Sequence, residues 1–327
     1  MSRTALALSL TVVLAALFAF PAFAAEKDVV AINPKLAAAD PDFATQGEYV
    51  GDVRDDRFGI QVIALGGGKF HAVAYRGGLP GDGWDESDKI EGDGERGPDG
   101  AVTLVGADDG KAVIKDGVLT LISPEGEKVA ELKKVNRQSP TLGTKPPEGA
   151  KVLFDGKTND FKPGTTDGDL LVQGQNSQTK FGSVQLHVEF LLPFMPTARG
   201  QGRGNSGVYL QGRYECQVLD SFGLAGENNE CGGLYTIAKP RVNMCYPPLT
   251  WQTYDVDYTA ATYEGGKRTR NATITVRHNG VVIHENVELP KPTTSAPVKE
   301  GPEAGPLHLQ DHGNPVRFRN IWIVEKK

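Results

Sequence analysis

From Val184 the chain reads Val-Gln-Leu-His-Val-Glu-Phe, apolar and polar residues in alternation. A repeat of two is the signature of a strand with one face buried. Similar runs recur at 207–211, 214–219, 253–259, 272–278, 281–286, 307–310 and 316–324. Asn279-Gly280 separates two of them and predicts a tight two-residue hairpin. Many short strands without a convincing helix predict an all-β sandwich or jelly roll over 151–327.

The preceding region, 47–135, predicts a small all-β domain of its own. Runs at 58–65 and 70–75 flank Gly66-Gly67-Gly68, and further runs fall at 102–105, 112–114 and 118–122, with Asp109-Gly110 and Asp116-Gly117 as turns. The stretch 81–100 is rich in Asp and Glu without the calcium-loop register, so it predicts a solvated loop. Residues 136–149, with three prolines and two glycines, predict a linker crossed by few contacts. Residues 25–46 lack periodicity and read as a tether.

Residues 1–24 carry Arg3, an apolar run over 5–20, and Ala22-Phe23-Ala24, the small-x-small pattern of signal-peptide cleavage. This predicts export to the periplasm or beyond, and no membrane association once the segment is removed. The balance of 35 basic against 41 acidic residues, net charge −6, argues against nucleic acid, which calls for a clustered basic face. The 40 glycines and 21 prolines fit a turn-rich chain. Of three cysteines, Cys231 and Cys245 lie in loop-like sequence, whereas Cys216 sits mid-strand on the core side. The expected disulfide is Cys231–Cys245, closing a loop worth roughly 3 kcal/mol in chain entropy. The spacing matches no structural zinc site. Gly202 to Gly207 spells G-x-G-x-x-G, but it leads into a strand rather than a helix, so no dinucleotide site is implied.

Five ordered blocks in the second half carry a resemblance. They are Leu153-Phe154-Asp155-Gly156-Lys157, Asn205-Ser206-Gly207-Val208-Tyr209-Leu210, Tyr214-Glu215-Cys216-Gln217-Val218-Leu219-Asp220, Trp251-Gln252-Thr253-Tyr254-Asp255, and Leu309-Gln310-Asp311-His312-Gly313 through Val316-Arg317-Phe318-Arg319-Asn320-Ile321. Together they resemble the 3-keto-disaccharide hydrolase family across nearly all of 151–327. The resemblance implies a concanavalin A-like jelly roll with a sugar site on its concave face. It also implies action on glycosides whose C3 hydroxyl has become a ketone. Cys216 departs from the family's usual small aliphatic residue, without consequence for the fold.

Alternation in 214–220 sends Cys216 and Val218 inward and Glu215 and Gln217 outward. Glu215 and His312, both in family blocks, are the expected acid–base pair, with Glu189 as a third candidate because it shares an outer strand face with His187. Asn205, Gln217 and Gln310 are candidate hydrogen-bond donors, and the family blocks add Tyr209 and Asp220. Tyr235 and Trp251 are candidates for stacking on a sugar ring, although Trp251 suits a core equally well. Arg319 either clamps sugar hydroxyls or pairs with a carboxylate. His187, His278 and His284 read as solvated strand positions.

The paired carboxylates of the sandwich glycosidases, E-x-D-x-x-E, are absent. A 3-keto sugar opens another route, because its C2 proton is acidic. One base, one acid and donors to the developing enolate then suffice. No cofactor is required, and the His and Glu supply permits a divalent metal without any spacing that demands one. The rival reading is a non-catalytic carbohydrate-binding module on the same fold.

Overall fold

The computed structural model describes residues 30–106 and 110–326, so the expected signal peptide and Asp109 of one expected turn lie outside the described residues. Eight strands, β1 (Gly47–Val53), β2 (Asp56–Gly66), β3 (Lys69–Arg76), β4 (Ile90–Arg96), β5 (Val102–Gly106), β6 (Lys111–Lys115), β7 (Val118–Ile122) and β8 (Lys128–Val135), form a closed barrel in chain order. β1 pairs with β8 to close it. Strand β4 falls inside the acidic stretch expected to be a loop. Its glycines face β5 so closely that a Cβ on Gly94 would lie 2.0 Å from the Thr103 carbonyl. Glycine in place of apolar residues left the alternation without its usual signal.

Two short helices, α1 (Pro34–Ala37) and α2 (Pro41–Thr45), occupy the stretch read as a tether. Asn33 and Asp40 cap them, and Pro34 and Pro41 start them. They pack on the barrel through Ala37 and Phe43, and Asp42 is buried against Arg96 at 2.9 Å.

Two antiparallel sheets follow, built from β9 (Lys151–Phe154), β10 (Phe161–Lys162), β11 (Thr166–Asp167), β12 (Leu170–Val172), β13 (Gln175–Phe181), β14 (Val184–Leu191), β15 (Ser206–Leu210), β16 (Tyr214–Val218), β17 (Trp251–Thr259), β18 (Thr262–Glu264), β19 (Lys267–Arg270), β20 (Ala272–His278), β21 (Val281–Leu289), β22 (Gly305–Leu309) and β23 (Arg317–Glu325). The first sheet runs β10-β13-β22-β15-β16; the second runs β11-β12-β23-β14-β17-β20-β21, with β9 on β23. β18 and β19 make a separate hairpin. Between the sheets pack Val184, Leu186, Val188 and Phe190 from β14 against Val208, Leu210, Cys216 and Val218 from β15 and β16. This is the jelly-roll sandwich the alternation predicted. Asn279 and Gly280 take φ of 50° and 81°, the left-handed pair a tight hairpin needs.

The expected disulfide is not formed. Cys216, Cys231 and Cys245 are all free and buried. The loops carrying Cys231 and Cys245 turn their side chains into the sandwich core, where Cys231 Sγ lies 3.2 Å from the Tyr254 hydroxyl and Cys245 Sγ 3.6 Å from the Leu219 carbonyl. The two thiols nevertheless lie side by side and hydrogen-bond each other, so the sequence paired the right residues although no disulfide joins them. The three histidines expected in solvent are buried too. His278 continues the inward series of Ala272, Ile274 and Val276, and burial drives its pKa down to about 3.

The barrel and the sandwich share their cores. Ile63, Val73 and Tyr75, on the barrel's outside, belong to the sandwich cluster, while Phe194 of the sandwich belongs to the barrel cluster. Residues 136–149 are likewise anchored rather than contact-poor: Ser139 Oγ meets Thr253 Oγ1 at 2.6 Å, and Thr141 Oγ1 donates to Asp255 at 2.6 Å.

Candidate active site

On β15 and β16 the inward residues are core, so Gly207, Tyr209, Glu215 and Gln217 share the sheet's outer face. The register pairs Gly207 with Gln217 and Tyr209 with Glu215, and β22 places His308 opposite Tyr209. A Cβ on Gly207 would lie 2.2 Å from Glu215 Oε1 and 2.8 Å from the Tyr209 ring. Glycine at 207 is therefore what lets the Glu215 carboxyl lie flat across the neighbouring strand.

Several polar groups converge on that carboxyl. Tyr209 hydrogen-bonds to it, and Gln310 Nε2 donates to the Tyr209 hydroxyl at 3.0 Å. The Gln217 amide, turned so that its NH₂ meets acceptors, donates to Glu215 Oε1 at 3.0 Å and to the Ser206 carbonyl at 2.7 Å. Asn205 Nδ2 donates to the Gln201 carbonyl at 2.8 Å, while Asn205 Oδ1 is buried with no partner. Tyr235, half-buried, reaches over from the loop after β16, its backbone N–H on the Glu215 carbonyl at 3.4 Å.

This face is dry: Glu215 is 2 % exposed and Tyr209 0 %. Burial pushes the Glu215 carboxyl up to about 8, against the smaller opposing pull of the Tyr209 hydrogen bond. Burial and the nearby Glu215 charge also raise the Tyr209 phenol, so it stays protonated. His308 is lowered by burial, stands edge-on to Tyr209 at 5.2 Å, and binds Asn176 Oδ1 through Nδ1 at 3.0 Å. A carboxyl that titrates near neutrality among fixed donors is equipped to exchange a proton with a bound molecule.

The other expected residues are scattered. Glu189 lies on the outer face of the second sheet, on the opposite side of the sandwich from Glu215. Its carboxylate accepts from the Gly143 N–H (2.6 Å), Arg319 Nε (2.6 Å), Asn320 Nδ2 (2.8 Å) and His187 Nε2 (3.5 Å). Burial alone would raise its pKa, but these partners hold it down to about 2. Glu189 is thus a permanently charged pin for the 139–144 segment, unfit to act as a base. His187 rests between it and Asp255, whose Oδ1 lies 2.6 Å from Nδ1.

Arg319 also belongs to this second face, its guanidinium 3.9 Å above the ring of half-buried Trp251. Both are accordingly removed from the Glu215 face. Asp220 sits just past β16, buried and paired with Arg203 Nε at 2.6 Å, while Arg203 Nη1 reaches the Ala64 carbonyl of the barrel at 3.2 Å. It fastens the two units together. His312 is exposed in the turn after β22, two residues beyond Gln310.

Two residues of the face were not among the expected site residues. His308 was visible in the alternation of β22, and Gln201 comes from a loop with no periodic signal at all. Among the described residues, no group of three or more His, Cys, Asp or Glu side chains is arranged to hold a metal ion.

Comparison with known proteins bears on this domain. Residues 149–324 match the family described as the 3-keto-alpha-glucoside-1,2-lyase-like domain. A crystal structure from Parabacteroides distasonis, described as a "putative glycosyl hydrolase", is 34% identical, with a TM-score of 0.51, over 55% of this chain and 85% of its own. A second structure of that description from the same organism is 17% identical, with a TM-score of 0.36, over 57% of this chain and 93% of its own. No curated protein matches the chain.

Proposed function

The chain belongs to the family of 3-keto-alpha-glucoside-1,2-lyase-like domains, and on that premise we propose that it cleaves 3-keto-glycosides by elimination across C1 and C2. A carbohydrate-active role follows from the family. The observation that supports this particular chemistry is Glu215, a buried carboxyl with a pKa near 8, hydrogen-bonded to a phenol and an amide.

In this reading the Glu215 carboxylate takes the C2 proton, made acidic by the adjacent ketone. The electron pair forms the C1=C2 bond, and the C1–O bond to the aglycone breaks. Tyr209 and Gln310 supply donors for the charge that builds on O3, while Gln217 braces the Glu215 carboxyl and contributes to binding. His312, in the exposed turn beyond Gln310, is assigned to protonate the departing oxygen on the solvent side. Water then adds across the enone, its oxygen to C1 and a proton to C2, releasing the 3-keto sugar. Asn205 Oδ1, an acceptor without a donor, is suited to a sugar hydroxyl. We further propose, from the N-terminal pattern, that this work is done outside the cytoplasm.

The test is nuclear magnetic resonance of a 3-keto-glucoside in D₂O with the whole protein. Deuterium should enter C2 as aglycone is released, the parent glucoside should be untouched, and Glu215→Gln should abolish both signals. Saturable binding of the 3-keto sugar without exchange or cleavage would replace the enzyme reading with a carbohydrate-binding one.

A further inference from the structure

The barrel lies outside the matched family region and makes no contribution to the chemistry above, yet its interior is incompletely filled. An eight-stranded barrel is just wide enough either to be plugged by its own side chains or to hold one small ligand. Here the two ends differ. At the end where β1 and β3 begin, Tyr49 and Phe70 fill the interior, both fully buried. At the other end the inward residues of β3 and β6 shrink to Ala72, Ala74 and Ala112, and a cavity of about 340 Å³ opens among them.

Its walls are apolar, formed by residues such as Phe58, Ile60, Leu104 and Leu121. Glu91 and Lys111 are the charged residues along it, and both are exposed. The lip is apolar as well: Ile90 is 49% and Val129 40% exposed, and both line the cavity, so the apolar wall continues out to its edge.

We infer that the open end of this barrel is a second ligand site, for a neutral, apolar small molecule about the size of a two-ring aromatic. Size argues for the class, since an apolar cavity of roughly 150 Å³ already admits benzene and ligand pockets start near 300 Å³. Its position inside the barrel argues against a macromolecule: the cavity is ringed by strands and opens only at the barrel end, and its volume of about 340 Å³ is too small for a helix. Apart from Glu91 and Lys111, whose side chains are exposed, the lining is uncharged, which argues against an ionic ligand that would be stripped of water without a partner.

The neutral naphthalene dye prodan is the probe, titrated into the full-length protein and followed by its blue shift. One-to-one binding at micromolar dissociation constant is expected. Ala74→Trp, which fills the cavity from β3, should weaken it at least tenfold while the circular dichroism spectrum stays unchanged, and Ala112→Phe should do the same from β6. Independently of any variant, naphthalene protons should show nuclear Overhauser contacts to the methyl groups of Ile60, Leu104 and Leu121. Absence of saturable binding, affinity untouched by filling the cavity, or contacts to methyl groups elsewhere would overturn the assignment.

Discussion

Glu189 and Glu215 are the same residue in nearly the same local setting. Each points outward from a strand of the sandwich, each is essentially unexposed, and each is flanked in sequence by core residues. Yet one is held near pKa 2 and the other pushed to about 8. Desolvation is the leading influence on both and acts in the same direction. What separates them is the company: Glu189 meets a guanidinium, an imidazole, an amide and a backbone N–H, whereas Glu215 meets a phenol and an amide and no cation. Burial makes a carboxyl basic, and only charged or numerous donors reverse that. One sandwich therefore carries a carboxylate held in its charged form on one face and a carboxyl pushed toward neutrality on the other.

The sharpest way to break this contrast is to remove each carboxylate in turn. Glu215→Gln keeps the shape and loses the base, so turnover of a 3-keto-glucoside should fall by about 10²- to 10⁴-fold, with little change in melting temperature at pH 5. A rate within a few-fold of wild type would end its role. Glu189→Ala should leave turnover per folded molecule intact and cost stability instead, about 3 kcal/mol in urea denaturation, because Arg319, His187 and the Gly143 N–H lose their common acceptor.

The two glutamates should also give opposite pH signatures. The depressed Glu189 contributes stability above the normal carboxyl range, lost as pH falls toward about 2. The raised Glu215 favours the fold in its protonated state, so its contribution is present in acid and lost as pH rises through about 8. Denaturation of wild type against Glu215→Gln from pH 5 to 9 reads the second effect, and a flat difference would contradict it. Activity should run the other way, kcat/KM climbing with pH to a plateau above about 8 as the base ionises. A smaller effect is expected of Gln217→Ala, which removes one net hydrogen bond of about 1 kcal/mol. It should raise KM roughly five-fold more than it lowers kcat. A loss confined to kcat would move Gln217 from binding into the chemistry.

Much of the Glu215 face was legible in the chain. The alternation of 214–218 placed Glu215 and Gln217 on one face, and the Asn-Ser-Gly block marked the strand beside them, because period two transfers directly into side-chain direction. Tyr209, Gln310 and Tyr235 came with it. Glu189 was misplaced for an equally simple reason: alternation says that a residue faces outward, but not from which sheet. The anchored segment 136–149 was misread because its partners, Thr253, Asp255 and Glu189, lie far along the chain.

By itself, then, the sequence determined the all-β class, the hairpin at Asn279-Gly280, the strands of the sandwich and the shared outward face of Glu215 and Gln217. These depend on local periodicity and turn chemistry, which neighbouring residues carry. Only the tertiary structure decided that the cysteines stay free in the core, that His278 is buried, that Asp220 fastens barrel to sandwich through Arg203, and that one glutamate is charged where another is not. Each of these depends on which distant groups arrive and how much water they displace. A pKa or a thiol pairing is a property of that assembled surrounding, and no stretch of the chain contains it.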